Sequence, residues 1–210
     1  MPRPSQNVDQ LLIDAGLELL PETGCAGLSV RKLTEHAGVN LGMFHYHFRN
    51  KDNFVRTLLQ RTYESMFAAL SLTVEPQRAP LDNLRAALTV LARFGRQHRR
   101  LLLRIAADAL GGQRLAADFL RNNLPRHLAV LLRLLEQAQR QGLLQPLPLP
   151  QLVAFLAGAV GAPVLLGTAL ELHAGAETAA LIERHVLSDA AIAQRIELAL
   201  RALSTPEGSS

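Results

Sequence analysis

Residues 29–48 read SVRKLTEHAGVNLGMFHYHF, a segment in which two capping residues and a glycine divide a helical pattern into two short pieces. Ser29 is a suitable N-terminal cap for a first helix that ends near Ala37, and Gly38 then allows a tight turn. Asn40 can cap a second helix of similar length. Two short helices joined in this way form a helix-turn-helix, whose second helix enters the major groove of DNA.

The side chains of this segment separate into an inward set and an outward set at helical spacing. The inward set is predicted to join the two helices through apolar contacts and comprises Leu33, Ala37, Val39 and Phe44. Leu41 and Phe48 share the face of the second helix that carries Phe44. The outward set is left to meet DNA and comprises Gly42, Met43, His45 and His47. Arg31, Arg49 and Lys51 flank the outward set and can neutralise phosphates.

Apolar residues recur at helical spacing on both sides of this segment, and we find no strand pattern that competes. One helix is predicted before the segment, over 8–23, with Gly24 as its stop. The helices predicted after it, the first capped by Asn50 and the last by Ser188, span 51–72, 81–98, 99–110, 113–141, 151–172, 176–186 and 189–204. Prolines mark 73–80 as a linker, and Pro125 is expected to kink or split the helix that contains it.

The composition agrees with a folded, helical protein. Of the 210 residues, 49% are hydrophobic and only 4% are aromatic, with alanine and leucine dominant, a mixture that favours helix over sheet. The formal net charge of +4 permits nucleic-acid binding, but residues 1–70 contain seven basic and seven acidic residues. Affinity for DNA must therefore come from the placement of a few charges.

The segment from Leu11 to Leu59 resembles the DNA-binding domain of the TetR family of repressors. The likeness is carried by SVRKLTEHAGV at 29–39, by FHYHF at 44–48 and, after one intervening residue, by NKDNF at 50–54. The resemblance implies an all-α fold of about nine helices. Its parts are expected at 1–50 for the helix-turn-helix domain, 51–72 for a connecting helix, 73–204 for an effector-binding and dimerisation domain, and 205–210 for a tail.

The resemblance also implies a function and a set of DNA contacts. A regulator of this family binds a palindromic double-stranded operator as a cytoplasmic homodimer, and a small, largely apolar effector releases it, with repression as the default. The residues expected to contact DNA are Ser29, Arg31, Asn40, Gly42, Met43, His45, Tyr46, His47 and Lys51. Lys51 matches the phosphate-binding lysine of the family. Met43 stands where threonine is common in the family, and methionine can touch thymine methyl groups.

The resemblance places two further sets of residues in the effector-binding and dimerisation part. Effector contacts are expected from Phe94, His98, Phe119, Asn123, His127 and Phe155, and plain core packing is the alternative for each of them. The helices that commonly form the family's dimer interface carry Val153, Leu156, Val160, Val164, Ile192, Ile196 and Leu200. The uncharged run Leu152–Leu170 is long enough to cross a membrane, but its glycines and proline favour an interface helix, so we expect no membrane partner.

Several single features have more than one interpretation. The basic run Arg93–Arg104 fits a solvated helix face, a second DNA contact or a site for an anionic effector. Cys25, the single cysteine, excludes an internal disulfide, fits a reducing cytoplasm, and is either a packing residue or a redox sensor. His45 and His47 lie two positions apart on a helix and do not share a face, so we expect no metal site and no cofactor. The polar segment Met1–Gln10 lacks the apolar stretch of a signal peptide.

The chain lacks the residue arrangements that catalysis requires. No Ser/His/Asp or Cys/His set, carboxylate pair or phosphate-binding loop occurs at suitable spacing, so we do not expect an enzyme. The alternative to a DNA-binding regulator is a helical small-molecule-binding or adaptor protein without DNA readout. Such a protein would retain its ligand affinity after Arg31 and Lys51 are both replaced by alanine.

Overall fold

The computed structural model describes residues 5–205, with side chains from Val8 onward, and the predicted tail beyond Thr205 lies outside the described residues. The helices are α1 Ser5–Gly27, α2 Val30–Ala37, α3 Leu41–Phe48, α4 Lys51–Thr73, α5 Pro80–Gln97, α6 Arg99–Leu110, α7 Arg114–Arg140, α8 Leu149–Leu156, α9 Ala162–His173, α10 Ala176–Ile182 and α11 Asp189–Leu203, with π-helical turns at Ala157–Gly161 and Glu183–Leu187. Each predicted helix has a counterpart in this order. The described residues contain one isolated β-bridge, between Leu144 and Ser204, and are otherwise helical or irregular. The all-α prediction is therefore confirmed.

Local capping residues start and end the short helices as the sequence predicts. The side-chain oxygen accepts a hydrogen bond from the backbone N–H three residues later at Ser29, Asn40, Asn50 and Ser188. Gly38 ends α2 in the left-handed region, with φ 64°, and its N–H donates to the carbonyl of Glu35. The turn between α2 and α3 is therefore specified by residues within it.

One of the two predicted helix interruptions is present. Gly24 interrupts α1 where a stop was predicted: its φ of 68° and ψ of 176° are non-helical and essentially reserved for glycine, and a further helical stretch follows this kink to Gly27. Pro125 was expected to kink or split its helix, and it does not split α7, which continues through it. Pro125 is exposed, so the hydrogen bond it removes lies on the solvent side while the apolar side keeps its packing.

The described residues up to Glu64 form one compact unit together with Arg100–Asn123. The core of this first unit contains apolar side chains from α1, α2, α3 and α4, with Leu101 and Ile105 of α6 and Leu115 of α7 in the same cluster. The sequence predicts the helix-turn-helix domain at 1–50 and the connecting helix at 51–72, whereas the first unit extends to Glu64 and also includes Arg100–Asn123. The reason is that α6 and the start of α7 bury their apolar residues in the core of the helix-turn-helix.

Ser65–Arg99 and the residues from Leu124 onward form the second compact unit, in which α11 packs along α5. Its core contains six of the seven predicted interface residues, each 1–4% exposed: Leu156, Val160, Val164, Ile192, Ile196 and Leu200. The seventh, Val153, is half-buried. Because the six side chains are already buried in their own chain, the interface prediction is corrected at these positions, and other residues of these helices must supply any contact with a second copy.

Leu149–His173 is a continuous helix of 25 residues that includes α8, a π-helical turn and α9. By length and composition this helix is apolar enough to cross a membrane. Of the residues in an apolar 18-residue stretch of this helix, 33% are buried in the chain. Its uncovered side is also apolar, because Leu166 and Leu170 are 63% and 62% exposed. One face of this helix therefore belongs to the core, and the other presents leucines outward.

The basic run Arg93–Arg104 is partly neutralised in the second unit by carboxylates that are distant in the sequence. Arg96 lies 3.0 Å from a carboxylate oxygen of Glu183. Arg99 lies 3.4 Å from Glu171 and 3.4 Å from Glu183. These ion pairs favour a structural role for the two arginines over a second DNA contact or an anionic-effector site.

Candidate nucleic-acid interface

The second helix of the helix-turn-helix, α3, is anchored by aromatic contacts. Phe44 is fully buried and Phe48 nearly so. The centroids of their rings lie 5.7 and 5.0 Å from that of Phe54 on α4. These contacts hold one side of α3 against the start of α4, which leaves the other side available to a partner.

The available side of α3 differs from the predicted outward set. Leu41, predicted to share the face of Phe44, is 50% exposed, because Asn40 places it at the first helical position. Met43 and His47, predicted outward, are half-buried, because each directly precedes a buried phenylalanine. The Nε2 atom of His47 is buried and has no hydrogen-bond partner among the described residues. The exposed residues at the cap and on α3 are Asn40, Leu41, Gly42, His45 and Tyr46.

His45 and Arg49 bond to each other at the end of α3. The N–H of Arg49 donates to the carbonyl oxygen of His45 at 3.0 Å. The Nδ1 atom of His45 lies 3.0 Å from the carbonyl oxygen of Arg49. A carbonyl oxygen only accepts, so Nδ1 carries the proton. Arg49 has φ 63°, which is uncommon outside glycine, and it is therefore held in a strained conformation at this helix end.

Two predicted phosphate-binding cations already have partners inside the domain. The Arg31 side chain is 87% exposed, and its Nε lies 2.8 Å from the carboxylate of Glu35. The hydrogen bond and charge of Glu35 raise the pKa of Arg31. The Nζ of Lys51 donates to the carbonyl oxygen of Ala26 at 2.7 Å, which ties the end of α1 to the start of α4. An ammonium has three donors, so Lys51 keeps two for a phosphate.

The predicted DNA contacts also change at α2. Ser29 is half-buried, and its hydroxyl oxygen accepts from the N–H of Lys32 at 3.4 Å, so it acts as a helix cap. Lys32 is exposed on α2 and was not among the predicted contacts. Its charge beside the outward Arg31 was the sequence signal that could have identified it.

A buried polar network holds the end of α1 against α6. Asp108 accepts from the backbone N–H of Cys25 at 2.7 Å and from the Nε of Arg104 at 2.9 Å. Arg104 also donates to the carbonyl oxygen of Thr23 at 3.4 Å. The guanidinium of Arg104 packs on Gly24 so closely that a Cβ at Gly24 would lie 2.4 Å from the Nη2 atom of Arg104. The bend in α1 and the position of α6 are therefore mutually dependent.

Cys25 is 1% exposed, and burial together with Asp108 raises the pKa of its thiol to about 12. Since the thiolate is the reactive form, we expect Cys25 of the native protein at pH 8 to react with a disulfide reagent ~10³-fold more slowly than in the unfolded chain. Reaction progress followed by absorbance, with and without denaturant, measures this ratio. Equal rates in both conditions would restore the redox-sensor interpretation.

Two of the six predicted effector residues, Phe119 and Asn123, line a cleft of about 640 Å³ between α4 and α7 in the first unit. Asn123 exchanges hydrogen bonds of 3.2 Å with Gln60, whose side chain also borders the cleft. The carbonyl oxygen of Asn123 accepts from the hydroxyl of Tyr63 at 2.8 Å. The cleft thus combines apolar side chains with amide groups of fixed orientation, as small-molecule sites do, and it is also lined by Arg56, Arg61, Glu64 and Asp118.

The other four predicted effector residues belong to the second unit. The Phe94 and His98 rings have centroids 4.7 Å apart, and burial lowers the pKa of His98. His127 is half-buried, whereas Phe155 is 42% exposed. Of the six, the structure therefore brings together the pair at the cleft and, separately, the tilted ring pair Phe94 and His98.

The sequence model of the bacterial regulatory proteins of the tetR family matches residues 12–58. Over 57 residues the chain is 46% identical to the class A tetracycline repressor protein from transposon 1721 of Escherichia coli, covering 27% of this chain and 24% of that protein. Over 78 residues it is 38% identical to the transcriptional regulator AcuR of Cereibacter sphaeroides, covering 36% and 35% of the two chains. The alignments thus span about a third or less of these relatives.

A structural likeness extends over nearly the whole chain. The ketosteroid transcriptional regulator KstR2 of Mycobacterium tuberculosis has a TM-score of 0.69 and 16% identity, covering 94% of this chain and 95% of that one. The fold and the exposed α3 define an all-helical protein of the helix-turn-helix class. Over residues 12–58, the chain is similar to the TetR family of bacterial regulatory proteins.

Proposed function

We propose that this protein is a cytoplasmic transcriptional repressor that binds a palindromic DNA operator as a homodimer and dissociates when a small molecule binds. The observation that carries the proposal is the exposed side of α3, which a buried aromatic cluster fixes within the segment that matches the family. In a helix-turn-helix of this kind, the second helix enters the major groove and its N-terminal residues meet the base edges.

A few placed charges would supply most of the affinity for DNA. Arg31, Lys32 and Arg49 are exposed, and Lys51 stands at the N-terminus of α4, where backbone N–H groups favour a phosphate. Because the basic and acidic residues of this part of the chain are equal in number, each cation should matter. Specific binding is therefore expected to involve few phosphates and to have a shallow salt dependence.

We propose that the two copies of the homodimer contact each other through the exposed leucines of the second unit. Leu166 and Leu170 lie one turn apart on α9, and Leu198 of α11 is 55% exposed. An added Cβ at Gly158 or Gly161 would meet nothing within 4 Å, so a second helix can approach this side closely. Apolar surface of this kind typically marks an interaction site, and we assign it to a second copy and not to a membrane.

The effector is proposed to enter the cleft beside Phe119 and Asn123. The volume of about 640 Å³ suits a small organic molecule. The half-buried Phe119 offers apolar surface, while the amides of Gln60 and Asn123 can orient a polar group on the ligand. These features support an effector with an apolar part that packs on Phe119 and polar groups that face the amides.

Selection of duplexes from a random library by the full-length protein tests the proposal. We expect an inverted repeat to be enriched, two chains to sediment with each duplex, and the selected sequence to bind ~10³-fold or more tightly than a scrambled one. The variant with Arg31→Ala and Lys51→Ala should bind all sequences more weakly and with a smaller salt slope. A monomer that enriches no sequence would contradict the proposal and favour the small-molecule-binding alternative.

The release step needs a separate measurement. Compounds are screened for those that raise the melting temperature of the protein, because a ligand that binds the folded state stabilises it. The compounds that do so are then added to the preformed complex with the selected duplex, and release is followed by fluorescence anisotropy. Ligands that stabilise the protein and leave the complex intact would argue against effector-driven dissociation.

A further inference from the structure

The hydrogen bonds between His45 and Arg49 determine which nitrogen of the His45 ring is left for a partner. We propose that His45 reads a base through Nε2 as a hydrogen-bond acceptor, and that it therefore selects adenine or cytosine at one position of each half-site. This inference rests on the proposed DNA-binding function. The inference adds to that function which bases His45 of α3 recognises, namely those that offer a hydrogen-bond donor.

The tautomer follows from the geometry. Nδ1 of His45 lies 3.0 Å from the carbonyl oxygen of Arg49, an atom that cannot donate. Nδ1 must therefore carry the hydrogen. In a neutral imidazole the other nitrogen then has a lone pair and no hydrogen, so Nε2 is an acceptor. His45 itself is exposed on the open side of α3.

One further contact keeps the ring in this orientation, and a backbone hydrogen bond also joins His45 to Arg49. The N–H of Arg49 donates to the carbonyl oxygen of His45, so the same two residues are joined twice. The His45 ring also meets the buried ring of Phe44 edge-on, with centroids 5.4 Å apart and an interplanar angle of 83°. Since Phe44 is fixed in the core, the direction of Nε2 is largely set before any DNA binds.

An acceptor at this place discriminates among the four bases. In the major groove adenine and cytosine present exocyclic amines as donors, whereas guanine presents two acceptors and thymine presents an acceptor and a methyl group. A phosphate also offers acceptors only, so a neutral Nε2 gains nothing from the backbone. Tyr46 and Asn40 can both donate and accept, so they do not impose the same choice.

Base-pair substitution in the selected duplex tests the inference. At one position in each half-site, the full-length protein should prefer adenine or cytosine over the other bases by about tenfold. The variant His45→Phe keeps a ring of similar shape without nitrogen and should lose this preference while it retains the rest of the sequence preference. As a matched control, His36→Phe changes a histidine of α2 that faces Glu18 and should leave the preference unchanged.

Base analogues identify the atom. Replacing the selected adenine by purine, or the selected cytosine by 2-pyrimidinone, removes only the exocyclic amine. The wild-type protein should then bind the modified duplex about tenfold more weakly than the unmodified one. The His45→Phe variant should bind the two duplexes with nearly equal affinity. Equal losses for both proteins would place the amine outside the reach of His45 and overturn the inference.

The free protein gives a readout that does not depend on DNA. Nitrogen-15 NMR of the imidazole groups at pH 8 should show a hydrogen on Nδ1 of His45 and none on Nε2. The opposite tautomer, a His45-dependent preference for guanine or thymine, or an equal loss by His45→Phe on every sequence would each overturn the inference and leave DNA binding intact. A wild-type protein that enriches no sequence would remove the proposed function as well.

Discussion

Replacement of Phe44 by alanine is expected to lower the free energy of unfolding by about 3–5 kcal/mol, a large part of the total for a domain of this size. The Phe44 side chain is fully buried and contacts the rings of Phe48 and Phe54. Its loss opens a cavity at the point where α3 joins α4. Because the same ring orients α3, specific DNA binding should be lost along with the stability.

Urea denaturation followed by circular dichroism measures this change. Tyr46→Ala is the matched control, because Tyr46 lies on the same helix with 75% of its surface exposed. Its effect on the free energy of unfolding should stay within about 0.5 kcal/mol. A Phe44→Ala protein with an unchanged denaturation midpoint would show that the aromatic cluster does not hold α3 in place.

The features that the sequence predicts best are those determined by residues close to one another in the chain. Asn40 and Gly38 define the turn of the helix-turn-helix through their own hydrogen bonds and backbone angles, so the pattern is readable without the rest of the chain. The aromatic string at the end of α3 is similarly local. Spacing alone places its two phenylalanines on one face of the helix, and both are buried.

Contacts between distant segments account for most of what the sequence does not reveal. Both sides of Leu149–His173 are apolar, so periodicity could not tell the core side from the outward side, and Val160 was assigned to an interface although it packs in the core. The carboxylate that pairs with Arg99 lies 72 residues away, at Glu171. No local pattern contains such a partner, which is why the sequence left three interpretations of the basic run Arg93–Arg104 open.

Replacement of Asp108 by alanine is the second change with a large expected effect, about 2–4 kcal/mol of the free energy of unfolding. The Asp108 carboxylate is mostly buried and satisfies both the N–H of Cys25 and the guanidinium of Arg104. Alanine would leave a buried N–H without an acceptor and a cation without its counter-charge. Asp108→Asn keeps one acceptor and loses the charge, so its effect should be intermediate.

The consequence should extend to DNA binding through the end of α1. The carbonyl of Ala26, one residue after the N–H that Asp108 holds, is the acceptor for Lys51. If Asp108 fixes this end of α1, then Asp108→Ala should weaken binding to the selected duplex under conditions where the protein is still folded. The control is Asp118→Ala, since Asp118 forms an exposed pair with Arg121 that should contribute less than about 1 kcal/mol. Equal effects of the two substitutions on stability and on affinity would mean that the buried network neither stabilises the first unit nor positions Lys51.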